Sequence, residues 1–253
     1  MIKKILVRTA KKQIVDEKER VIEKEKIYLI EDMSKDYHCS DGVFKKEDLK
    51  KTGIIKSSKG KEFYVIDASF IDSYKGIKKT SQTIPLKDLG FILAETGIDK
   101  SSIVIDAGSG SGGAACFFAR YVKKVYSFDI NQKNIEQSKR NAEYFGLNNI
   151  EFKEIDVYKE IPVKNADMVL LDLPEPWKAL NTANMAIKSG GFIVTYCPQI
   201  TQAQKFINES LNLLHIKIVE IIERDWNISG LIVKPKSLSN IHSGFIIISR
   251  KIK

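Results

Sequence analysis

The sequence predicts an α/β protein, a mostly parallel sheet covered by helices on both faces and preceded by a small, mostly β module. Three observations carry this. From about residue 80 onward, short apolar strands alternate with segments of helical spacing, the pattern of strands buried on both faces. One of these strands runs directly into the glycine-rich turn 108–113, after which a helix begins. Before about residue 75 the texture differs, with short apolar runs set among charged and turn-forming stretches. The chain has 253 residues and 43% hydrophobic content, enough for one ordinary domain and a smaller one. The boundary is placed between 1–75 and 76–253.

Within the module, residues 2–7, 26–30, 42–44 and 63–66 read as strands, with turns at Asp41-Gly42 and Lys59-Gly60. Charges crowd together over 9–26, which reads as a solvated hairpin or loop. Beyond the module, 102–107 (SIVIDA) is a buried strand and 114–121 has helical spacing. A second strand, 124–129 (KVYSFD), is followed by a helix over 131–145 that Gly146 closes as a C-cap. Strands three and four fall at 150–155 and 167–172 (DMVLLD). A helix over 176–188 leads through Gly190-Gly191 to the strand 192–197. A further helix, 200–214, precedes a strand at 217–222, and 244–250 forms another strand. No internal repeat or low-complexity tract interrupts this order.

Composition narrows the function classes. No apolar run approaches the length of a membrane span, and the opening MIKKILVRTAKK lacks the apolar stretch of a secretory signal. Cys39, Cys116 and Cys197 are scattered without CxxC or Cys/His spacing, so neither a metal site nor a disulfide framework is expected. Buried or half-buried thiols in a reducing cytoplasm fit them better. The net charge of +9 suits a polyanionic partner, because Lys and Arg on phosphates gain affinity from counterion release. Solubility, or surface ion pairing at high temperature, would account for the same charge.

The strongest local motif is Asp106-Ala107-Gly108-Ser109-Gly110-Ser111-Gly112-Gly113, at a strand-to-helix turn. Glycines there allow a tight turn and close approach of a ligand to the backbone. A carboxylate two residues before the first glycine is of no use to a phosphate, whereas a methionine-like zwitterion has an ammonium to satisfy. Gly108, Gly110 and Gly113 also match GxGxxG, so the loop alone is equally compatible with a dinucleotide. Asp129 closes the next strand and is suited to accept ribose hydroxyls, a feature shared with NAD sites. Asp156, after the third strand, is placed to accept from an adenine amino group. Each acid alone also reads as a strand-end cap; together they mark the carboxyl ends of successive strands, where such sheets bind ligands.

After the fourth strand comes Asp172-Leu173-Pro174-Glu175-Pro176-Trp177, whose prolines restrict φ and stiffen a loop beside the site. Trp177 reads either as a flat face or as an anchor for the following helix. This segment resembles, nearly letter for letter, the DLPEPW motif of the TrmI family of tRNA (adenine-N1)-methyltransferases. Ser81-Gln82-Thr83-Ile84 with Lys87-Asp88 is similar to the family's TQI…PKD stretch, taken as a helix. Arg224-Asp225-Trp226, Val233-Lys234-Pro235 and His242-Ser243-Gly244-Phe245 are similar to its RxW…VRP…HTxF signature. The likeness covers about 78–250 in order.

The resemblance implies a class I S-adenosylmethionine-dependent methyltransferase fold, Rossmann-like, with a seven-stranded mostly parallel sheet whose last strand is antiparallel. It implies S-adenosylmethionine as donor, adenine 58 of the tRNA T-loop as target (57 as well in many archaeal relatives), and a homotetramer. Carried over by motif, Gln82, Gly108, Ser109, Gly110, Ser111, Gly112, Asp129, Asn134 and Asp156 would hold the donor, with Asp106 binding its ammonium and Asp172 touching the donor while facing the target base. Pro85 stands where the family often has Tyr or His, and Asp106 and Asp129 stand where Glu is commoner. The alternatives are an NAD-dependent oxidoreductase, a corrinoid-type small-molecule methyltransferase, and a non-catalytic tRNA-binding subunit. The first lacks a placed hydride-transfer partner, and the second leaves the basic excess and the 224–245 signature unexplained. The third would be expected to have lost the acids that this chain keeps.

Overall fold

Alternating burial along its strands builds the N-terminal unit, Met1–Gly76, around one antiparallel sheet. The computed structural model describes residues 1–15, 18–229, 231–236 and 242–253. The unit begins with β1 (Lys4–Arg8), the paired strands β2 (Lys11–Val15) and β3 (Lys18–Glu23), and β4 (Lys26–Ile30). A short ribbon follows, β5 (Tyr37–Cys39) with β6 (Gly42–Phe44), then helix α1 (Lys46–Leu49), β7 (Gly53–Lys56), β8 (Glu62–Asp67) and helix α2 (Phe70–Tyr74). The sheet order is β4-β1-β8-β7. Leu6, Ile30, Ile55, Phe63 and Val65 point to one side and close with Phe44 and Leu49 into a core. Beside it Asp41 accepts from the Arg8 guanidinium (3.0 Å), Lys26 Nζ (2.7 Å) and the Tyr28 hydroxyl (2.5 Å).

All four strands expected in this module are present. β7 goes beyond the reading, because its sequence, GIIK, buries only Ile55 and is too short to show a period. The expected hairpin over 9–26 is the β2–β3 pair; its tip at 16–17 lies outside the described residues.

The second unit, Ile77–Lys253, alternates strands and helices. Helix α3 (Leu86–Thr96) leads to β9 (Ile103–Ala107), α4 (Gly113–Phe118), β10 (Lys124–Asp129), α5 (Gln132–Phe145) and β11 (Ile150–Glu154). β12 (Ala166–Leu171) passes through a 3₁₀ turn (Pro176–Ala179) into α6 (Leu180–Ala186), β13 (Ile187–Cys197), α7 (Ile200–Glu209) and β14 (Leu213–Glu220). A ribbon of β15 (Trp226–Ser229) and β16 (Ile232–Pro235) precedes β17 (Phe245–Lys251). The seven-stranded sheet has the order β11-β10-β9-β12-β13-β17-β14, and β17 runs antiparallel to both its neighbours. Val104, Ile105, Val169, Leu170, Ile193 and Val194 are fully buried, as a sheet covered on both faces requires.

This is the Rossmann-like class I methyltransferase architecture, with its small N-terminal β unit, that the sequence predicts. Four local differences have physical causes. Ser81–Ile84 does not belong to a helix: α3 starts at Leu86, because Pro85 takes the N-cap position with ψ 151°. The helix expected over 200–214 stops at Glu209, where the Ser210 hydroxyl turns back onto the Phe206 carbonyl (2.6 Å) and ends the turn. β13 starts at Ile187 and runs through Gly190-Gly191 as a register irregularity against β12, with Gly190 at φ 76°. The β15–β16 ribbon goes beyond the sequence reading, since its strands are only four residues each and its Trp226, Ile228, Leu231 and Ile232 are exposed rather than packed in a core.

Candidate active site

The carboxyl ends of β9 to β12 converge on a cavity of about 510 Å³, the size of pocket that takes a nucleoside-like ligand. Its floor is the glycine loop. Gly108 and Ser109 N–H both donate to the Phe128 carbonyl (2.8 and 2.9 Å), which fastens the loop to β10. Gly108 has φ +101°, and a Cβ there would lie 2.2 Å from the Asp172 carbonyl oxygen. Only glycine lets β9 and β12 deliver their ends so close together. At Gly110 a Cβ would meet Ser81 Oγ at 2.6 Å, so the segment before α3 crosses directly over the loop. Ser111 holds it there, its hydroxyl accepting from Thr80 N–H at 2.6 Å.

Asp129 is fixed by three donors: Gly110 N–H (2.8 Å) and Asn134 Nδ2 (3.1 Å) on one oxygen, Asn131 N–H (2.8 Å) on the other. A carboxylate offers about four acceptor positions, so about one remains open toward the cavity. Asn131 caps α5 and thereby sets the direction of Asn134 one turn on. Asp156 accepts from Tyr158 N–H (3.1 Å) as a strand-end cap and also lines the cavity.

Asp106 sits beneath the loop, 1% exposed, and is not part of the cavity wall. Its Oδ2 accepts from Ser127 (2.7 Å), which in turn receives the Ser109 hydroxyl proton (2.6 Å). Oδ1 is buried with no partner. Burial pushes its carboxyl up to about 7, the Ser127 bond opposing this and the charges of Asp172 and Asp129 adding to it. Asp172, half-buried at the end of the neighbouring strand β12, is likewise pushed up to about 7 by burial.

Of the eleven residues the sequence singles out, nine line one cavity: Gln82, Gly108, Ser109, Gly110, Ser111, Asp129, Asn134, Asp156 and Asp172. Asp106 and Gly112 stand behind it. Gly112, at φ +76°, packs against Ser138 and carries the turn into α4.

Residues 75–244 match the family described as "tRNA methyltransferase complex GCD14 subunit". A curated relative from Methanocaldococcus jannaschii, named tRNA (adenine(57)-N(1)/adenine(58)-N(1))-methyltransferase TrmI, is 31% identical over 91% of this chain and 93% of its own. The chain belongs to this methyltransferase family. Among solved structures, an S-adenosylmethionine-dependent O-methyltransferase from Thermotoga maritima superimposes with a TM-score of 0.80 at 25% identity. That match covers 99% of this chain and 93% of the other. The tRNA (m1A58) methyltransferase TrmI from Aquifex aeolicus gives 0.77 at 20% identity over 99% and 97%, a likeness of fold.

Several residues of this methyltransferase's site are not assigned to it by the sequence reading, which has Ser81 and Thr83 only within a motif and does not name Tyr158. Ser81, Thr83 and Tyr158 line the cavity, and the Tyr158 hydroxyl accepts from Glu175 N–H (3.3 Å). A residue two after an identified strand-end acid was the available signal for Tyr158. Trp177 resolves as an anchor: it packs on the core beneath α6 and α7, with Lys205 Nζ 4.2 Å from its ring centroid. Gln202 Nε2 donates to the Pro174 carbonyl (3.0 Å), so α7 holds the 172–177 loop from the side.

Proposed function

We propose that this protein transfers a methyl group from S-adenosylmethionine to N1 of adenine in the T-loop of tRNA, at position 58 and, as in the archaeal relative, 57. The observation that carries this reading is Asp172. It is the one carboxylate of the DLPEPW segment that opens onto the cavity, facing the glycine loop that receives a donor. S-adenosylmethionine, when bound, supplies a methyl group on a positively charged sulfur. The chain's residues fit such a group: glycine backbone without side chains, a ribose-facing acceptor at Asp129, an amino-facing acceptor at Asp156, and an unpartnered carboxylate oxygen on Asp106 below.

Adenine N1 already has an unshared pair, so no base has to deprotonate it, and the work of the protein is orientation and electrostatics. Asp172 accepts a hydrogen bond from the adenine N6 amino group and aims N1 into the cavity; its charge stabilises the cationic ring that forms. In folded tRNA the N1 edge is engaged, so the base is extruded at a cost of a few kcal/mol. Lysines and arginines on both units offset that cost through the phosphate backbone. The protein works as a homotetramer in the cytoplasm; exposed apolar residues on edge strand β14 and on the β15–β16 ribbon support the association, and the free thiols of Cys39, Cys116 and Cys197 the reducing compartment.

Methylation of unmodified tRNA with labelled donor, followed by mapping of the modified nucleoside, tests the reading. Asp172→Ala is expected to bind the donor normally and to turn over roughly 10²–10³-fold more slowly. Equal turnover would remove Asp172 from the reaction, and label on any other atom would end the assignment.

A further inference from the structure

Beside the cavity, four separate stretches of chain meet at a buried ion pair. Lys87 and Asp88 stand in the first turn of α3, and Asp88 is fully buried. Asp88 Oδ1 accepts from Lys87 Nζ at 2.7 Å. Its Oδ2 accepts from the Ser243 hydroxyl (2.8 Å) and the Tyr196 hydroxyl (3.3 Å). Lys87 Nζ also donates to the Ile221 carbonyl and to Ser243 Oγ, both at 2.6 Å, so its three protons are all engaged. Gly244 lies flat on the Tyr196 ring, where a Cβ would sit 2.5 Å from Cζ. His242 adds a second tie, to Glu220 through Nδ1 (2.5 Å) and to the Pro198 carbonyl through Nε2 (2.8 Å). The segment between β14 and β17 is thereby fastened at its start to α3 through Lys87 and at its end to Tyr196 and Pro198 of the β13 terminus.

The position of this cluster relates it to the reaction. Ile84, four residues before Asp88, lines the cavity. The β12–β13 register pairs Leu171 with Thr195, and Asp172 and Tyr196 are the residues that follow this last pair. A buried ion pair is weak as a source of stability, since apolar residues of equal volume often replace it without loss. What it provides is one fixed arrangement of its neighbours. None of Lys87, Asp88, Tyr196 or Ser243 lines the donor cavity.

We propose that Lys87 and Asp88 are positioning residues for methyl transfer: they lock Tyr196 and Ser243 into the wall against which the target adenine is aligned with Asp172. This rests on the functional reading above. The test uses the full chain, the triple variant of Asp88→Asn with Tyr196→Phe and Ser243→Ala, and four single variants, Asp88→Asn, Lys87→Met, Tyr196→Phe and Ser243→Ala. The last two each remove a single hydroxyl and leave the ion pair in place. Donor Kd, tRNA Kd, thermal midpoint and single-turnover methylation rate are measured for each.

The single-turnover rate is expected to fall by roughly 10²-fold for Asp88→Asn and Lys87→Met and about tenfold for each hydroxyl variant, the scale of a misplaced reactant. Donor and tRNA Kd should stay within about twofold. Adding Tyr196→Phe and Ser243→Ala to Asp88→Asn should lower the rate little further, because the three act as one unit. Hydroxyl variants with unaltered rates, or rate losses that merely follow falling donor affinity and thermal midpoint, would overturn the proposal. Should the parent protein bind donor yet leave tRNA adenine unmodified, the functional reading fails and takes the positioning role with it. A parent that methylates N1 alongside hydroxyl variants that do so equally well discards the positioning role alone.

Discussion

Burial pushes Asp172 and Asp106 both up to about 7, but only Asp172 opens onto the cavity. If Asp172 acts as a carboxylate, kcat/KM should fall as pH drops below about 7, because the working form is the ionised one. In Asp172→Asn that limb should vanish, leaving a low, flat rate; a sloping profile in the variant would assign the titration elsewhere. For Asp106 the consequence is one of stability. Its folded value lies above the unfolded one of about 3.9, so it favours folding fully below about pH 4, and that contribution is lost as pH rises through about 7. Asp106→Asn keeps an acceptor for Ser127 and should raise the donor-free thermal midpoint at about pH 8.5 but not at about pH 4.5. Equal midpoints at the alkaline pH would count against a strained, buried charge.

At the scale of elements, the β9–α4 turn is the most constrained. Gly108→Ala places a methyl group on the Asp172 carbonyl in a conformation that side chains rarely adopt. It should cost at least about 2 kcal/mol and abolish measurable donor binding, readable by chemical denaturation and calorimetry. An alanine variant that folds and binds normally would mean that the two strand ends need not touch. The same turn explains what was legible in advance. Asp106, Gly108, Asp129 and Asp172 occupy strand ends, where residue type and spacing announce themselves, so they could be grouped from sequence alone. Ser81, Thr83 and Tyr158 could not be grouped this way. They reach the cavity because Ser111 draws one loop across another and because a cap at Asp156 turns the chain, effects that leave no period. The β15–β16 ribbon escaped because its strands are only four residues long and leave Trp226, Ile228, Ile232 and Val233 exposed instead of joining a core. Asp106 illustrates a further limit. Its position in the sequence suggested contact with a ligand, while its depth, inside the sheet between β10 and β12, is a property of the fold alone.

For the whole molecule, the charge of +9 is spread over both units and forms no single run in the sequence. If phosphate contacts dominate tRNA binding, raising salt from about 50 to about 200 mM should weaken it on the order of 10³-fold while donor affinity hardly moves. Salt-insensitive tRNA binding would reassign the lysines to solubility. The antiparallel placement of β17 has a consequence for biosynthesis. Because residues 245–251 slot between β13 and β14 instead of extending the row, a nascent chain interrupted before them leaves two apolar borders facing each other across a vacant lane. The ribosome must therefore release residue 251 before the second unit can close, and a premature stop codon even a few positions short of residue 245 should yield aggregate in place of a weakened enzyme.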